Sequence, residues 1–268
     1  MKTKLIALLA GAISLGAAGA ASAADMAVKA RPMPPPVPVF TWTGFYIGGF
    51  VGGAWADGNA VTSDPCNTIV GLATCTARGF GTFNTIPPTA YGLGSSFIGG
   101  GTVGYNYQVS NFVFGLEGEV GYLRLNGSRL QNPAGLADTF ATTTIGDWYA
   151  FYGGRVGIAW DRVLLYAKAG GTTVHVSTGV VDNVGVTLDT RSSTDITSWA
   201  AGGGLEYAFT PNWSIKGEYL YLGIKKDLIT TGVTNTGLTE QVITSVPGVH
   251  TAKVGLNYRF GGPVVAKY

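Results

Sequence analysis

The chain has 268 residues, of which 46% are hydrophobic and only 12% are charged, and its formal net charge is +2. A soluble domain usually carries about 25% charged residues, so this chain is unusually short of surface charge. It has no basic run or basic face, which argues against nucleic acid as a partner. After the N-terminal leader, no run reaches the ~18 uncharged apolar residues typical of a membrane-spanning helix.

The first residues predict export. Lys2 and Lys4 precede a short apolar region that ends in the small residues 21–23, Ala-Ser-Ala. This is the layout of a secretory signal peptide over residues 1–23, and the apolar region is short for the alternative, a membrane anchor. Residues 24–43 form a proline-rich periplasmic segment, whose RPMPPPVPVF stretch we interpret as an extended spacer rather than a binding motif.

Two cysteines, Cys66 and Cys75, follow in a segment rich in threonine and glycine. An exported chain meets an oxidising compartment, so they are predicted to form a disulfide that stabilises the fold by about 2–3 kcal/mol. A metal site would need three or four ligands, and the chain has only two histidines, both far away in sequence. No metal or cofactor is therefore predicted.

Alternation of apolar and polar residues then recurs through the rest of the chain. In residues 44–56, Phe45, Ile47 and Val51 share one parity, as expected for a strand that sends alternate side chains to opposite faces. Each such segment is long enough to cross a bilayer, which takes ~9–11 tilted residues. Eight candidate strands emerge: 44–56, 96–109, 111–125, 148–160, 163–176, 198–209, 213–223 and 250–260.

The connections between these strands alternate in length. Three are tight (110–111, 161–162 and 210–212), and four are long (57–95, 126–147, 177–197 and 224–248). Residues that flank a tight turn pair and share a face, and at each turn this pairs apolar with apolar: Val109 with Phe112, Trp160 with Val163, and Phe209 with Trp213. Tight turns opposite long loops typify outer-membrane barrels. Residues 44–268 are therefore predicted to form an all-β, eight-stranded antiparallel transmembrane β-barrel.

If the apolar faces meet lipid, the charged faces must line the lumen. Buried charges persist only when they are paired and hydrogen-bonded. The turns would place Glu206 opposite Lys216, and Arg155 opposite Lys168, so the second pair would need carboxylates from the adjoining strand. A polar plug is the favoured interpretation and a leaky ion path the alternative. The predicted lumen network comprises Glu117, Glu119, Arg155, Lys168, Glu206, Lys216, Glu218, Lys253 and Arg259.

Other motifs carry weaker signals. Gly99–Gly104 matches the dinucleotide pattern G-x-G-x-x-G, but a strand follows where that motif needs a helix. His175 and Ser177, followed by Asp182 and Asp189, faintly resemble the His-x-Ser arrangement of outer-membrane lipid A deacylases, which makes an acyl hydrolase an unfavoured alternative. Lys225 and Lys226 are interpreted as solvated loop charges, with lipopolysaccharide phosphates as the other possibility. No catalytic residue is predicted.

Two stretches carry a resemblance to a known family. Residues 41–55 read TWTGFYIGGFVGGAW, and residues 250–260 read HTAKVGLNYRF. Both stretches resemble the small alphaproteobacterial outer-membrane proteins of the outer membrane immunogenic protein and RopB-like group, which are built like the OmpA membrane domain. The resemblance implies an eight-stranded barrel without catalytic residues. It also implies that Tyr258 and Phe260 form the terminal signal read by the barrel-assembly machinery, although the chain continues to Tyr268.

Together these observations predict a structural and surface protein of the outer membrane that supports envelope integrity. A narrow passive porin is the main alternative. The expected partners are outer-membrane lipid and lipopolysaccharide, the assembly machinery, and host or phage molecules at the loops.

Overall fold

The computed structural model describes residues 40–63, 88–130, 139–182, 190–233 and 239–260. Within these ranges, no helix is long and apolar enough to cross a membrane. The predicted signal peptide, most of the proline-rich segment, the predicted Cys66–Cys75 disulfide and the tail after Phe260 lie outside them. The strands are β1 (Gly44–Ala56), β2 (Ala60–Ser63), β3 (Thr89–Tyr91), β4 (Ser95–Val109), β5 (Phe112–Leu130), β6 (Thr139–Trp160), β7 (Val163–Asp182), β8 (Thr190–Ala208), β9 (Trp213–Leu222), β10 (Lys226–Val233), β11 (Thr239–Val246) and β12 (Val249–Phe260).

Eight of these strands form a closed antiparallel barrel in the order β1-β12-β9-β8-β7-β6-β5-β4. The ring closes where β1 pairs with β12, from Phe45 opposite Phe260 to Ala56 opposite Val249. Where all eight strands pair, closure leaves no unpaired edge, which is the condition for a sheet to span a bilayer. The predicted fold class is confirmed, and each of the eight predicted strands corresponds to a strand of the ring.

The two faces of the ring differ sharply in chemistry. Along β5, Leu116 is 72% exposed and Val120 is 61% exposed, whereas Glu117 and Glu119 between them are only 3% and 4% exposed. The exposed apolar face therefore points away from the barrel axis. Aromatic residues stand at both ends of this face, as at the two interfaces of outer-membrane barrels; examples are Phe112, Trp160 and Phe260 at one end and Trp55, Trp148 and Trp199 at the other.

The tight turns fix the strand register as predicted. Val109 pairs with Phe112, and Trp160 pairs with Val163. Ser110 and Asp161 adopt positive φ values of 54° and 50°, the left-handed conformation that closes such short connections. We call the end of the barrel that carries these turns the turn end, and the opposite end the loop end.

The predicted long loops are wrong in part, because the strands continue into them. β5, β6, β7 and β8 extend through residues 126–130, 139–147, 177–182 and 190–197. The buried inward positions there are small or apolar, such as Ala141, Ile145 and Ile196, with Thr143 and Thr178 among them. The outward positions change from apolar residues to threonine, serine and asparagine, so the hydropathy contrast that marks a lipid-facing strand disappears while the strand itself continues.

A second sheet was not predicted at all. Strands β10, β11, β2 and β3 form a four-stranded antiparallel sheet from segments interpreted as loops, which we call the cap sheet. The fully buried Leu125, Ala141 and Val176, on inward positions of the ring, share one hydrophobic cluster with Tyr91 and Val246 of the cap sheet. Thr62 and Thr143 add hydrogen bonds to the Tyr91 hydroxyl at 2.9 and 2.8 Å. The loop end of the described barrel is therefore covered by a packed layer.

Candidate functional site: the barrel lumen

The middle of the lumen holds a layer of buried charges, which we call the charge belt: Glu117, Glu119, Arg155, Lys168, Glu206, Lys216, Glu218 and Lys253. Lys168 lies at its centre. Its Nζ atom is 2.8 Å from Glu117 Oε1 and 2.8 Å from Glu218 Oε1, and it also contacts Glu119 Oε2. These side chains are fully buried. One ammonium group therefore bridges three carboxylates: it donates hydrogen bonds to Glu117 and Glu119 and forms an ion pair with Glu218.

The other cations complete this arrangement. Lys253 Nζ lies 2.5 Å from Glu119 Oε1 and 2.8 Å from Glu218 Oε1. Lys216 Nζ stands 3.6 Å from both Glu117 Oε2 and Glu218 Oε2, so it forms ion pairs that are too long to be hydrogen bonds. Every carboxylate among these three is shared by two or more cations, and the belt is a network rather than a set of isolated pairs.

Within the belt, Arg155 joins Glu206, nearer the turn end, to Glu117. Its Nη1 atom lies 3.3 Å from Glu117 Oε2 and 3.3 Å from Glu206 Oε2. Arg155 and Lys168 are directly opposite each other on β6 and β7. As proposed from the sequence, the carboxylates that separate these like charges come from β5, the adjoining strand.

Uncharged lumen residues were missed by the sequence reasoning, which considered only charges. Three tyrosine hydroxyls donate hydrogen bonds to belt carboxylates. The pairs are Tyr46 with Glu117 at 2.5 Å, Tyr149 with Glu119 at 3.2 Å, and Tyr166 with Glu218 at 2.8 Å. Asn106 accepts from Arg155 Nε at 2.8 Å. The signal was available, because Tyr46 has the parity opposite to the lipid-facing Phe45 and Ile47 of its own strand.

The carboxylates of Glu117, Glu119 and Glu218 converge, with ligand atoms within 4.8 Å of one another. Clusters of this kind can hold a metal ion. Here Lys168 contacts all three carboxylates, so the chain itself supplies the neutralising positive charge at their centre.

The lumen is apolar on the loop-end side of the belt. Inward side chains from the ring, such as Ile98, Leu123 and Leu220, are fully buried and cluster with Leu93 and Ile224 from the segments that connect the ring to the cap sheet. A dry, close-packed layer of this kind leaves no room for a hydrated ion.

The turn-end side is covered by residues 40–43, which we call the strap. Trp42 is 2% exposed. Its backbone N–H donates to Gln108 Oε1 at 2.7 Å and its indole N–H to the Asp161 carbonyl at 3.1 Å, so it is attached to β4 and to the β6–β7 turn. Phe40 packs edge-on against its ring at 5.3 Å. The strap therefore belongs to the barrel structure, although it was assigned to the segment preceding the barrel.

Arg259 lies beneath the strap and differs from the belt cations. Its guanidinium stacks over Phe40 at 4.5 Å and Trp42 at 5.6 Å, and Nη2 donates to the Pro211 carbonyl at 2.5 Å. No carboxylate of the described chain forms an ion pair with it within 4.0 Å. Among the described residues the lumen holds five buried cations and four buried carboxylates, and Arg259 is the cation without a carboxylate partner.

At the loop end, Asp57 forms a small latch between the turn after β1 and the segments flanking the β10–β11 hairpin. Asp57 Oδ2 accepts from Lys225 Nζ at 2.8 Å and from the Tyr221 hydroxyl at 2.7 Å, and Oδ1 accepts from the Gly248 N–H at 3.0 Å. Partial burial would raise the pKa of Asp57, but these hydrogen bonds and the Lys225 charge outweigh it and lower the pKa. The hydrogen bond to Asp57 in turn raises the pKa of Lys225.

The other motifs singled out in the sequence take no part in the charge belt. Gly99–Gly104 lies wholly within β4. His175 Nδ1 is 2.7 Å from Asp195 Oδ1 on the outer surface, so its acidic neighbour is Asp195 rather than the predicted Asp182 or Asp189, whose side chains are not described. Within the described chain, no hydrogen bond joins the imidazole to the Ser177 hydroxyl.

The proposed assembly signal lies at the turn end. Phe260 is 47% exposed, and Tyr258 packs against it with ring centroids 5.0 Å apart. Both residues are on the outward face of β12.

Comparison with known proteins agrees with this architecture. Residues 7–260 match the family model described as "Outer membrane protein beta-barrel domain". The chain belongs to this outer-membrane β-barrel family. Among its relatives, the 31 kDa outer-membrane immunogenic protein of Brucella melitensis is 31% identical over 255 residues, covering 91% of this chain and 95% of the relative. The 25 kDa outer-membrane immunogenic protein of Brucella abortus is 27% identical over 270 residues, covering 97% and 100%.

Solved outer-membrane barrels are similar at a greater distance. OprG from Pseudomonas aeruginosa is 14% identical with a TM-score of 0.45, covering 82% of this chain and 99% of OprG. Ail of Yersinia pestis is 15% identical with a TM-score of 0.38, covering 81% and 99%. Membership of the outer-membrane β-barrel family places the chain in the outer membrane, in contact with its lipids, and agrees with the resemblance noted in the sequence.

Proposed function

We propose that this member of the outer-membrane β-barrel family is a sealed, non-enzymatic surface protein that contributes to envelope integrity and presents its cap sheet to the outside. The observation that carries the proposal is the fully buried charge belt. Lys168, Glu117 and Glu119 have side chains with 0% exposure, so side chains fill the middle of the lumen. The apolar layer above and the strap below add two further seals.

A narrow porin is the alternative, since a polar lumen could conduct if its side chains moved apart. Against this, each belt carboxylate would have to give up its buried ion pairs and hydrogen bonds in a low-dielectric interior. The belt is therefore expected to hold the lumen shut, in keeping with a structural role.

Planar-bilayer recording of the purified, refolded protein tests the seal. We expect no stepwise openings, while a general porin added to the same bilayer opens normally. A double variant, Glu119→Gly with Lys253→Gly, removes two bulky side chains that pair with each other, and should leak more than the wild type. Reproducible openings of the wild-type protein would instead favour the porin.

The envelope role is tested in the source organism. Deletion of the gene should increase sensitivity to detergent, and the wild-type gene should restore resistance. Unchanged sensitivity on deletion would contradict the envelope role, whatever the conductance. The expected partners at the cell surface remain lipopolysaccharide and host or phage molecules, and Tyr258 and Phe260 are proposed to contact the assembly machinery. Replacing Phe260 with alanine should lower the amount of folded barrel in the membrane.

A further inference from the structure

Arg259 carries a buried positive charge that the described chain leaves uncompensated. The residue is 9% exposed, and the described part of the lumen holds one more buried cation than buried carboxylates. Burying a charge without a partner of opposite sign is costly. The rings of Phe40 and Trp42 offset part of this cost through cation–π contacts, but neither ring carries a negative charge.

One end of the Arg259 guanidinium has a hydrogen-bond partner and the other end has none. Nη2 donates to the Pro211 carbonyl at 2.5 Å. Nη1 is buried, and no acceptor of the described chain reaches it. Buried polar groups in folded proteins nearly always have a partner, and an exception calls for an explanation such as a bound water or ion. Nη1 therefore marks a place for a ligand that accepts a hydrogen bond.

A small cavity lies beside Arg259, between the strap and the turn at residues 210–212. Trp42, Thr210, Asn257 and Arg259 are among the residues that line it. The centre of a water molecule can move within only ≈ 10 Å³ of this cavity, which is about the room that one water needs. The cavity therefore suits a single species of about that size, such as a water molecule or a chloride ion, and is too small for phosphate or sulfate.

Thr210 supplies a second donor to the same cavity. Its hydroxyl oxygen accepts hydrogen bonds from the backbone N–H groups of Asn212 at 3.3 Å and Trp213 at 2.9 Å. A hydroxyl also has one proton to donate, and no acceptor of the described chain receives it. Two donors without an acceptor, one of them charged, therefore border the same small space.

Two acceptors, Glu206 and Asn257, also line the cavity. The Glu206 carboxylate is already engaged by Arg155 at 3.3 Å, by the Ser214 hydroxyl at 2.5 Å and by Asn257 Nδ2 at 2.8 Å. Asn257 Oδ1 has no donor in the described chain, and a water would satisfy it. The excess positive charge nevertheless favours an anion, because an uncompensated buried charge costs more than one unsatisfied neutral acceptor.

We propose that the cavity beneath the strap binds one chloride ion, or another monovalent anion of that size, which accepts hydrogen bonds from Arg259 Nη1 and the Thr210 hydroxyl. The anion brings the buried charges of the described lumen into balance, and it joins the β8–β9 turn to β12 under the strap. This site goes beyond the proposed function, and neither proposal depends on the other.

Thermal unfolding of the purified protein in detergent micelles tests the site. The wild type is heated in sodium chloride and in sodium gluconate at equal ionic strength, since gluconate is too large for the cavity. Chloride should raise the unfolding temperature by about 2–4 °C relative to gluconate, the shift expected when an anion is present at about five times its dissociation constant. Equal unfolding temperatures in the two salts would overturn the proposal and leave water as the occupant.

The variant Arg259→Met removes the charged donor and should abolish the difference between the two salts. The matched control, Arg129→Met, changes an exposed arginine of β5 and should keep the difference, which separates a bound anion from a general effect of the salt. An Arg259→Met protein that still distinguishes chloride from gluconate would contradict the assignment.

Crystals of the wild-type protein grown in sodium bromide provide a test that needs no variant. Anomalous diffraction should show a bromide ion beside Arg259 Nη1, within reach of the Thr210 hydroxyl. A cavity that holds only water in these crystals would overturn the proposal.

Discussion

Lys168 shows how a single side chain can determine whether the lumen is stable. Its ammonium group contacts Glu117, Glu119 and Glu218, all of them buried. Removing one partner from a buried ionic network costs more than the network contributes, because the remaining charges stay buried without compensation. Lys168 therefore differs from a surface lysine, whose ion pairs contribute little.

We expect Lys168→Met to destabilise the folded barrel by about 3–5 kcal/mol. Urea unfolding in lipid vesicles, followed by gel mobility without heating, measures the change. The exposed Lys226 supplies the control, since Lys226→Met should change stability by less than ~0.5 kcal/mol. Adding Glu117→Gln to Lys168→Met should recover part of the lost stability, because it removes one of the buried charges left without a partner. A larger, additive loss of stability in the double variant would contradict this explanation.

Gly104 is a second position where a small change, the addition of a Cβ atom, should lower the stability of the barrel. A Cβ there would overlap the hydroxyl and ring of Tyr46, whose hydroxyl donates to Glu117 at 2.5 Å. Gly104→Ala should therefore displace Tyr46 and cost about 1–3 kcal/mol by overpacking. Gly217 faces outward, and no atom lies within 4 Å of the point that a Cβ would occupy there, so Gly217→Ala should be neutral or slightly stabilising. Equal effects of the two substitutions in the same urea assay would contradict this account of the lumen.

Charged lumen residues were predictable, whereas their uncharged partners were not singled out. In an apolar strand, the position of a glutamate such as Glu117 among alternating residues is enough to show that its side chain is on the lumen face. Tyr166 has the parity of Lys168, and Tyr46 is on the inward face of β1, which carries no charge. Tyrosine is equally common at a membrane interface, so the residue type alone did not show which way these side chains point. Trp42 and Phe40 precede the first strand, and only the tertiary structure shows that they fold back over the mouth.

At the scale of elements, the cap sheet is tied to the ring by the Asp57 latch. Asp57 lies shortly before β2, and Lys225 immediately precedes β10, so one carboxylate holds both of the chain segments that lead from the ring into the cap sheet. The latch also bonds Gly248, which lies just before β12. Loosening it should free the cap sheet without disturbing strand pairing in the membrane.

Because its pKa is lowered, Asp57 contributes stability above its ordinary pKa of 3.8, and this contribution is lost as the pH falls through the lowered value. Asp57→Asn should destabilise the protein at pH 6 by about 1–2 kcal/mol, and the difference from wild type should shrink at pH 3. Asp227→Asn is the control, since Asp227 bonds only the Ser245 hydroxyl in the described structure. Thermal unfolding at both pH values measures this, and a pH-independent difference would be evidence against the latch.

The eight ring strands were predictable because alternation and turn length reinforced one another. The cap sheet was not, since β2 and β3 have only four and three residues, too few to show a period. Their strand conformation depends on packing: Ala60 and Tyr91 are buried against the inner faces of the ring strands. The upper parts of β5 to β8 were missed for a different reason, namely that their outward residues face polar surroundings rather than lipid.

At the scale of the whole molecule, the arrangement of a soluble protein is reversed: apolar side chains cover the outer face of the barrel, and charged side chains fill its interior. Lysine reactivity reports this arrangement directly. Lys225 has a side chain that is 63% exposed, whereas those of Lys168, Lys216 and Lys253 are 0% exposed.

We expect an amine-reactive reagent that does not cross membranes to modify Lys225 and Lys226 on intact cells, and to leave Lys168, Lys216 and Lys253 unmodified. Peptide mass spectrometry locates the products. The same reagent applied to urea-unfolded protein should label all five lysines, which controls for intrinsic reactivity. Labelling of Lys168 in the folded protein would mean that the lumen admits solute and would contradict the sealed barrel.

The chain has six tryptophans, and five of them, Trp55, Trp148, Trp160, Trp199 and Trp213, are exposed on the outer face. Trp42 alone faces inward, held by Gln108 on β4 and by the carbonyl of Asp161 between β6 and β7. A version with phenylalanine at the five outer positions would therefore carry a single fluorophore at the mouth. During refolding, the change in its fluorescence emission would report when β4 and the β6–β7 turn come together at the mouth of the closed ring, rather than when individual strands insert.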